Sequence, residues 1–285
     1  MSVLLHCTRD RIRRLSGRLL LVLLGAGLLA TGSTWAGESC QRLVVSGNSQ
    51  YPPLLWVDPA DPGTLSGAGV ALLEKVLEEH DITLEARNVG PWARAQEEAR
   101  TGRIDMLLGA FKTDERQTWM DYIDPAYKRV PSVIFVRKGH AFEFNSWDDL
   151  RGKRGSTLVN NSFGNAFDNY ARENLDIRAL PSVRQSFEML LLNRVDYVVY
   201  ERFQGKALAE QIGIADQLEI LPDSVITEAL YFTFSKRSAC NTPELRAALA
   251  ETVARLTAKG VMDNLIDVYT ERWSRLFIEQ GATNP

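Results

Sequence analysis

Two hydrophobic periods alternate along this chain. Leu43–Val45 reads as a short apolar strand, and Tyr51-Pro52-Pro53 as the loop that leaves it. Val70, Leu73, Val76 and Leu77 then recur at helical spacing, which predicts an amphipathic helix with Ser66 as its N-cap. Asp81–Val89 alternates apolar and polar residues and reads as a second strand. Pro91–Gly102 reads as a helix, with proline near its first turn and glycine as its stop. A third strand is predicted over Ile104–Leu108; the apolar run continues to Phe111 and opens into the polar turn Lys112–Glu115. Strand, helix, strand, helix, strand is the order of an α/β unit with a largely parallel sheet.

The order then repeats. Val133–Val136 is a predicted strand, Ser146–Leu150 a capped helical turn, Ser156–Val159 a short strand, and a helix is expected from Ser162. Strand, helix, strand and helix follow between Asp176 and Gly213. The stretches "ARTGRIDMLLGA" and "LLLNRVDYVVYE" echo each other: a helix end, Arg-(Ile/Val)-Asp, then an apolar strand. Arg103 and Asp105 thus match Arg194 and Asp196, which favours two α/β lobes of related build, although aspartate is common at such turns. Near the end come a strand at Ala229–Phe234 and a long helix capped by Asn241 or Thr242, with Pro243 in its first turn and Gly260 as its stop. A short last helix is expected around Asp263–Tyr269, and residues 278–285 read as a frayed tail.

The first 36 residues stand apart. Five arginines from Arg9 to Arg18 precede the apolar run Leu19–Leu29, and small residues surround Ala36. That layout predicts a secretory signal peptide over residues 1–36, and hence a periplasmic mature protein. The whole chain has 33 basic and 36 acidic residues; without that segment 28 face 35, a net charge near −7. Such a balance argues against nucleic acid and anionic membrane surfaces as partners. Cys40 and Cys240 remain after cleavage, in a compartment where disulfides persist. Their pairing requires Cα atoms within about 6 Å, which the sequence leaves open. His80 and His140 lie far apart with no neighbouring ligand set, so no metal or other cofactor is expected.

The residues that carry chemistry stand at predicted strand ends. Arg116 follows the third strand. Its planar guanidinium fits a carboxylate with two parallel charge-assisted bonds, and strand ends in open α/β sheets are where ligands bind. A salt bridge to Glu115 or Asp121 is the alternative. Glu201 follows "YVVY" and is either a second ligand contact or a helix-start glutamate favoured by the dipole. Asn161, Ser162 and Phe163 are read as a helix start, offering free N–H groups to an anion or simply capping the helix. Tyr51 and Trp92 are aromatic wall candidates, with a core role as the alternative for Trp92; Trp56 is a weaker candidate.

"GRIDMLLGAFKTDERQTWMDYIDPAY", "LRGKRGSTLVNNSFG" and "NRVDYVVYE" together resemble the extracytoplasmic solute-binding proteins of polar amino-acid ABC transporters, over nearly the whole mature chain. The resemblance implies the type II periplasmic binding fold: two Rossmann-like α/β lobes with a ligand cleft between them, joined by two crossover strands. The crossings are expected near residues 128–134 and 224–230. The first lobe is then 37–130 plus 228–285, and the second 131–227. Cys40 and Cys240 both fall in the first lobe, which favours their pairing. The resemblance assigns Arg116 to a ligand α-carboxylate, helped by backbone N–H groups from Gly109 to Phe111, and Glu201 to its ammonium. The family usually has aspartate where Glu201 stands, and hydroxyls where Gly109 and Phe111 stand, so this pocket rim is less polar. The implied function is capture of a small polar, amino-acid-like ligand and delivery to an ABC permease or a sensor, as a monomer and without chemistry of its own. A dehydratase-like enzyme with Glu201 as general acid is the alternative, but no second acid or base is visible beside it.

Overall fold

The computed structural model describes residues 40–282, so the expected signal segment lies outside it. The first half runs β1 (Arg42–Ser46), β2 (Gln50–Tyr51), β3 (Leu55–Asp58), β4 (Asp61–Ser66), α1 (Ala68–Glu78), β5 (Thr83–Ala86), α2 (Trp92–Thr101), β6 (Met106–Phe111), α3 (Asp114–Gln117) and β7 (Met120–Tyr122). The long strand β8 (Lys128–Arg137) leads into β9 (Arg154–Leu158), α4 (Asn165–Asn174), β10 (Asp176–Leu180), α5 (Val183–Leu191), β11 (Tyr197–Glu201) and α6 (Arg202–Gln211). The chain returns through β12 (Leu218–Ser235) and ends in α7 (Pro243–Ala258) and α8 (Val261–Ala282).

The main sheet is ordered β10-β9-β11-β8-β12-β6-β1-β5, with β7 also paired to β12. In each half the first strand lies between the second and the third, parallel to both, and the third is followed by an antiparallel crossover strand. The two crossover strands pair with each other from Lys128/Leu230 to Arg137/Leu218. This is the α/β fold with two lobes and two crossover strands that the sequence implied.

The sequence echo has a physical counterpart. The Asp105 carboxylate accepts from the Val44 N–H of β1 at 2.8 Å, while its own N–H donates to Val44 O at 2.7 Å. Asp196 repeats both bonds with Arg154 of β9, at 2.8 and 2.7 Å. Each aspartate therefore ties the third strand of its half to the first, and satisfies a backbone donor that the ladder leaves open.

Both faces of the sheet are covered. Along β8, Val133 and Phe135 enter the larger core, and Ile134 and Val136 the smaller one, which includes Phe163, Phe167, Tyr197 and Val199. Alternation at period two distributes this one apolar strand between the two cores on either face of the sheet. Cys40 and Cys240 are bonded, with Cα atoms 5.3 Å apart, tying the start of β1 to the loop before α7. Among the described residues no helix is long and apolar enough to cross a membrane.

Four local expectations change. Ser66 does not cap α1 but closes β4, in a three-stranded antiparallel sheet, β2-β3-β4, that the hydrophobic pattern misses. Gly67 caps instead, at φ 139°, where a Cβ would meet Leu54 O at 2.2 Å; the turn needs glycine, not a hydroxyl. The third strand lies two residues later than expected, because Asp105 takes the bonding role just described. The helix expected from Ser162 begins at Asn165 behind Gly164. Finally, α8 is long rather than short and reaches Ala282, since Trp56 packs on Tyr269 and Trp273 at 5.7 and 5.2 Å and gives it a tertiary partner.

Candidate functional site

Carboxyl ends of strands from both halves converge on one small cavity. It is lined by Asn48 and Tyr51 beyond β1, Trp92 at the start of α2, Leu108–Phe111 at the end of β6, Arg116 on α3, Asn161 beyond β9, Glu201 at the end of β11, and Leu230 of β12. Its volume is about 20 Å³, room for about one water molecule.

Arg116 is 3% exposed. Thr113 caps the short helix α3 by accepting from the Arg116 N–H at 3.2 Å, and so sets the arginine's place. The guanidinium donates to Phe111 O and to Asn160 O, each at 3.2 Å, and lies 5.5 Å from the Trp92 ring centroid. Asn160 O also accepts from Gln96 at 3.1 Å, so one carbonyl of the second half receives two side chains of the first. Neither carboxylate that the sequence offered as a salt-bridge partner reaches the guanidinium. Glu115 turns to Arg100 at 2.8 Å, and Asp121 to Asn241, Arg246 and Lys236. Among the described residues Arg116 has no carboxylate within 4 Å, although arginine stays charged and burial lowers its pKa.

Glu201 is 1% exposed, and although it opens α6 its side chain does not cap that helix. Asn161 donates to Oε1 at 3.2 Å, and Oε2 is buried without a partner among the described residues. Burial pushes its pKa up to about 7, against the opposing pull of backbone and Asn161 hydrogen bonds and of the Arg116 charge. Tyr51 stands edge-on to Tyr200 at 6.5 Å, and its hydroxyl is also buried and has no partner among the described residues. Burial, with Glu201 nearby, raises the Tyr51 pKa, so it remains a donor. Asn48 holds the Tyr200 hydroxyl at 3.2 Å.

The structure thus brings Arg116, Glu201, Tyr51, Trp92, Gly109, Phe111 and Asn161 together. Phe163 is not with them, and Ser162 lines instead an adjoining cavity of about 300 Å³ that it shares with Arg116 and Asn161. The Ser162 hydroxyl bonds Asp168, and the Phe163 N–H donates to the same carboxylate at 2.8 Å. Asp168 therefore consumes the donors that a helix start at Ser162 would have offered to an anion. The Phe163 ring packs on Phe167 at 5.8 Å, in the smaller core. Trp56 is buried against α8 instead. Asn48, Leu108 and Leu230 were missed. Asn48 lies beyond a strand end, the same signal that marked Arg116; Leu230 enters from a crossover strand and carries no local signal.

The sequence model of the bacterial extracellular solute-binding proteins, family 3, matches residues 43–272. The chain belongs to this family. No curated protein matches the sequence of this solute-binding protein. Among solved structures it is similar to a P235GK mutant of ArgBP from T. maritima, at 20% identity and TM-score 0.66, covering 81% of this chain and 96% of that one. It is similar to the AbpA amino acid ABC transporter substrate-binding protein of Streptococcus pneumoniae bound to L-arginine, at 21% identity and TM-score 0.66, with 82% and 96% covered. A histidine kinase sensor domain is similar to the same degree, at 21% identity and TM-score 0.67, with 82% and 96% covered. At such identities the likeness of this solute-binding protein to these structures is one of fold.

Proposed function

We propose that this solute-binding protein captures a small amino-acid-like ligand in the periplasm and delivers it to an ABC permease. Lobe closure, with 37–130 plus 228–285 on one side and 131–227 on the other, grips the ligand. One observation carries the reading: the cavity holds a buried cation, Arg116, and a buried carboxyl that ionises near neutral pH, Glu201, and neither has an ion-pair partner among the described residues. A buried charge without a partner is costly, and a zwitterion would supply both missing partners. The ligand carboxylate meets the Arg116 fork. The ammonium meets Glu201, with Trp92 and Tyr51 against the ligand body. A cavity of about 20 Å³ is smaller than any amino acid, so the walls part to admit the ligand and the contacts form as they close. The ArgBP and AbpA structures, named for arginine binding and amino-acid transport, support this choice of ligand and partner.

The test is a thermal-shift panel of amino acids led by L-arginine and L-glutamine, with non-carboxylated amines as controls. Ligand at about 100 times its Kd contributes about 2.7 kcal/mol to the native state, a rise of several degrees in midpoint. If no amino acid moves the midpoint while an uncarboxylated compound does, the reading is wrong. The histidine kinase sensor domain of the same fold favours a second reading, a periplasmic sensor using the same clamp. Deleting the gene and measuring uptake of the identified ligand separates the two, since only transport requires uptake to fall.

A further inference from the structure

A larger groove of about 380 Å³ lies apart from the cleft and shares none of its lining residues. Its walls come from the Pro53–Leu54 loop, the start of β8, α6 and α8. Val130, Phe203, Ile266 and Trp273 form an apolar bed. Phe203 is 54% exposed, a large ring that folding leaves in solvent at this place. The rim is basic: Lys128, Arg129 and Lys206 line it with Glu210 as the one carboxylate, on a protein that is acidic as a whole. The cations are incompletely committed. Arg129 ends on the Thr227 carbonyl, and Lys206 stands 3.9 Å from Glu210; Lys128 is the well-paired one, at 2.6 Å from Asp263. A second kind of observation points the same way. Gln204, 1% exposed, lines this groove, and its Oε1 is buried without a hydrogen-bond partner among the described residues. Gln204 is the one side chain of the groove lining with such an atom, and a group entering the groove beside it would give the amide a partner.

We propose that this groove is a second ligand site, for a small amphipathic anion: an aromatic or medium-chain body with a single carboxylate. The volume falls within the about 300–1,000 Å³ of small-molecule sites, which combine an apolar lining with a few placed polar groups. The apolar body covers the Phe203 and Trp273 rings. The carboxylate lies between Arg129 and Lys206, whose aliphatic stems extend the apolar wall. With its amide turned over, Gln204 presents its NH2 to the groove and donates to the ligand carboxylate. This inference does not depend on what the cleft binds.

The probe is 8-anilinonaphthalene-1-sulfonate, an aromatic anion whose fluorescence rises in apolar surroundings, with decanoate as competitor and neutral N-phenyl-1-naphthylamine as control. The purified protein is expected to bind one equivalent saturably, to release it to decanoate, and to bind the neutral analogue at least about fivefold more weakly. Ala207→Trp fills the groove from α6 and should weaken the probe at least tenfold; Lys206→Glu should erase the preference for the anion. Far-UV circular dichroism confirms folding. Phe203→Ser, at an exposed position, replaces Ala207→Trp if that variant does not fold. Absence of saturable binding, unchanged affinity in the groove variant, or equal affinity for the neutral analogue each overturns the proposal.

Discussion

Asn161 donates its side-chain amide to one carboxyl oxygen of Glu201 at 3.2 Å and leaves the other buried without a partner among the described residues. The carboxyl is thus half satisfied, in a place that disfavours its charge. Its pKa of about 7 has burial as its largest cause, and the ordinary glutamate value is 4.5.

That difference sets a pH dependence of stability. Between about pH 4.5 and 7 the unfolded chain has ionised Glu201 while the folded chain keeps it protonated. The unfolded state then binds fewer protons, so stability falls as pH rises through this window and levels off above about pH 7. The contribution reaches about 3 kcal/mol at most. Glu201→Gln keeps the neutral shape. Urea unfolding should find the variant close to wild type at pH 4 and progressively more stable than wild type up to pH 8. A difference that does not change with pH would remove burial as the cause.

The same group links ligand to proton. If ionised Glu201 grips the ligand's cation, affinity for whichever amino acid raises the midpoint in the thermal-shift panel should fall about tenfold per unit below about pH 7 and stay level between pH 7 and 8.5. Titration calorimetry in buffers of different ionisation heat should then record proton release near neutral pH. Glu201→Gln should bind weakly with a flat profile. A flat profile in the wild type would take the ammonium away from Glu201.

Arg116 should show the geometry of its fork as well as its charge. If Arg116 holds the ligand carboxylate, Arg116→Ala leaves that carboxylate unpaired and is expected to weaken binding roughly 30-fold or more. Arg116→Lys keeps the charge but loses the planar double contact, and also the bonds to Phe111 O and Asn160 O, so it should recover only part of the loss. Equal affinity in the lysine variant and the wild type would reduce the contact to a point charge.

Much of the site was readable because its parts stand at strand ends that the hydrophobic pattern locates: Arg116 beyond β6, Glu201 at β11, Tyr51 beyond β1. Helix α2 was readable from Pro91 and Gly102, and α7 from Thr242 and Pro243, since these residues act locally. What escaped depends on distant or competing partners. The β2–β4 sheet has short strands, and β4 begins with Asp61, Pro62 and Gly63, residue types that favour turns over strands. The start of α4 was displaced by Asp168 reaching back to Ser162 and Phe163. The length of α8 comes with Trp56, some two hundred residues away in the chain.

Asp105 and Asp196 offer a paired test of the internal echo. Replacing either by alanine leaves a backbone N–H, of Val44 or Arg154, without its acceptor, at a cost of about 1–3 kcal/mol. Asp105 also accepts from the Ser238 hydroxyl at 2.6 Å, whereas Asp196 pairs with the exposed Arg154 side chain at 2.7 Å, which contributes little. Asp105→Ala should therefore be the more damaging in urea unfolding. Amide exchange should quicken at Val44 in one variant and at Arg154 in the other. Unchanged exchange at both amides would make the echo a coincidence of sequence.

Gly109 shapes the cavity by having no side chain. It lies at φ 102°, and a Cβ there would meet the Tyr127 hydroxyl at 2.8 Å and Leu230 at 3.3 Å. Gly109→Ala combines backbone strain of about 1–3 kcal/mol with a steric clash. The two parts separate, because the Tyr127 hydroxyl is buried without a partner among the described residues and Tyr127→Phe removes the clashing atom at little cost. A double-mutant cycle should show Gly109→Ala lowering the unfolding midpoint by several degrees, with Tyr127→Phe restoring part of that loss and the strain keeping the remainder. Full recovery would mean the backbone angle costs nothing, and no recovery that Tyr127 is not the obstacle.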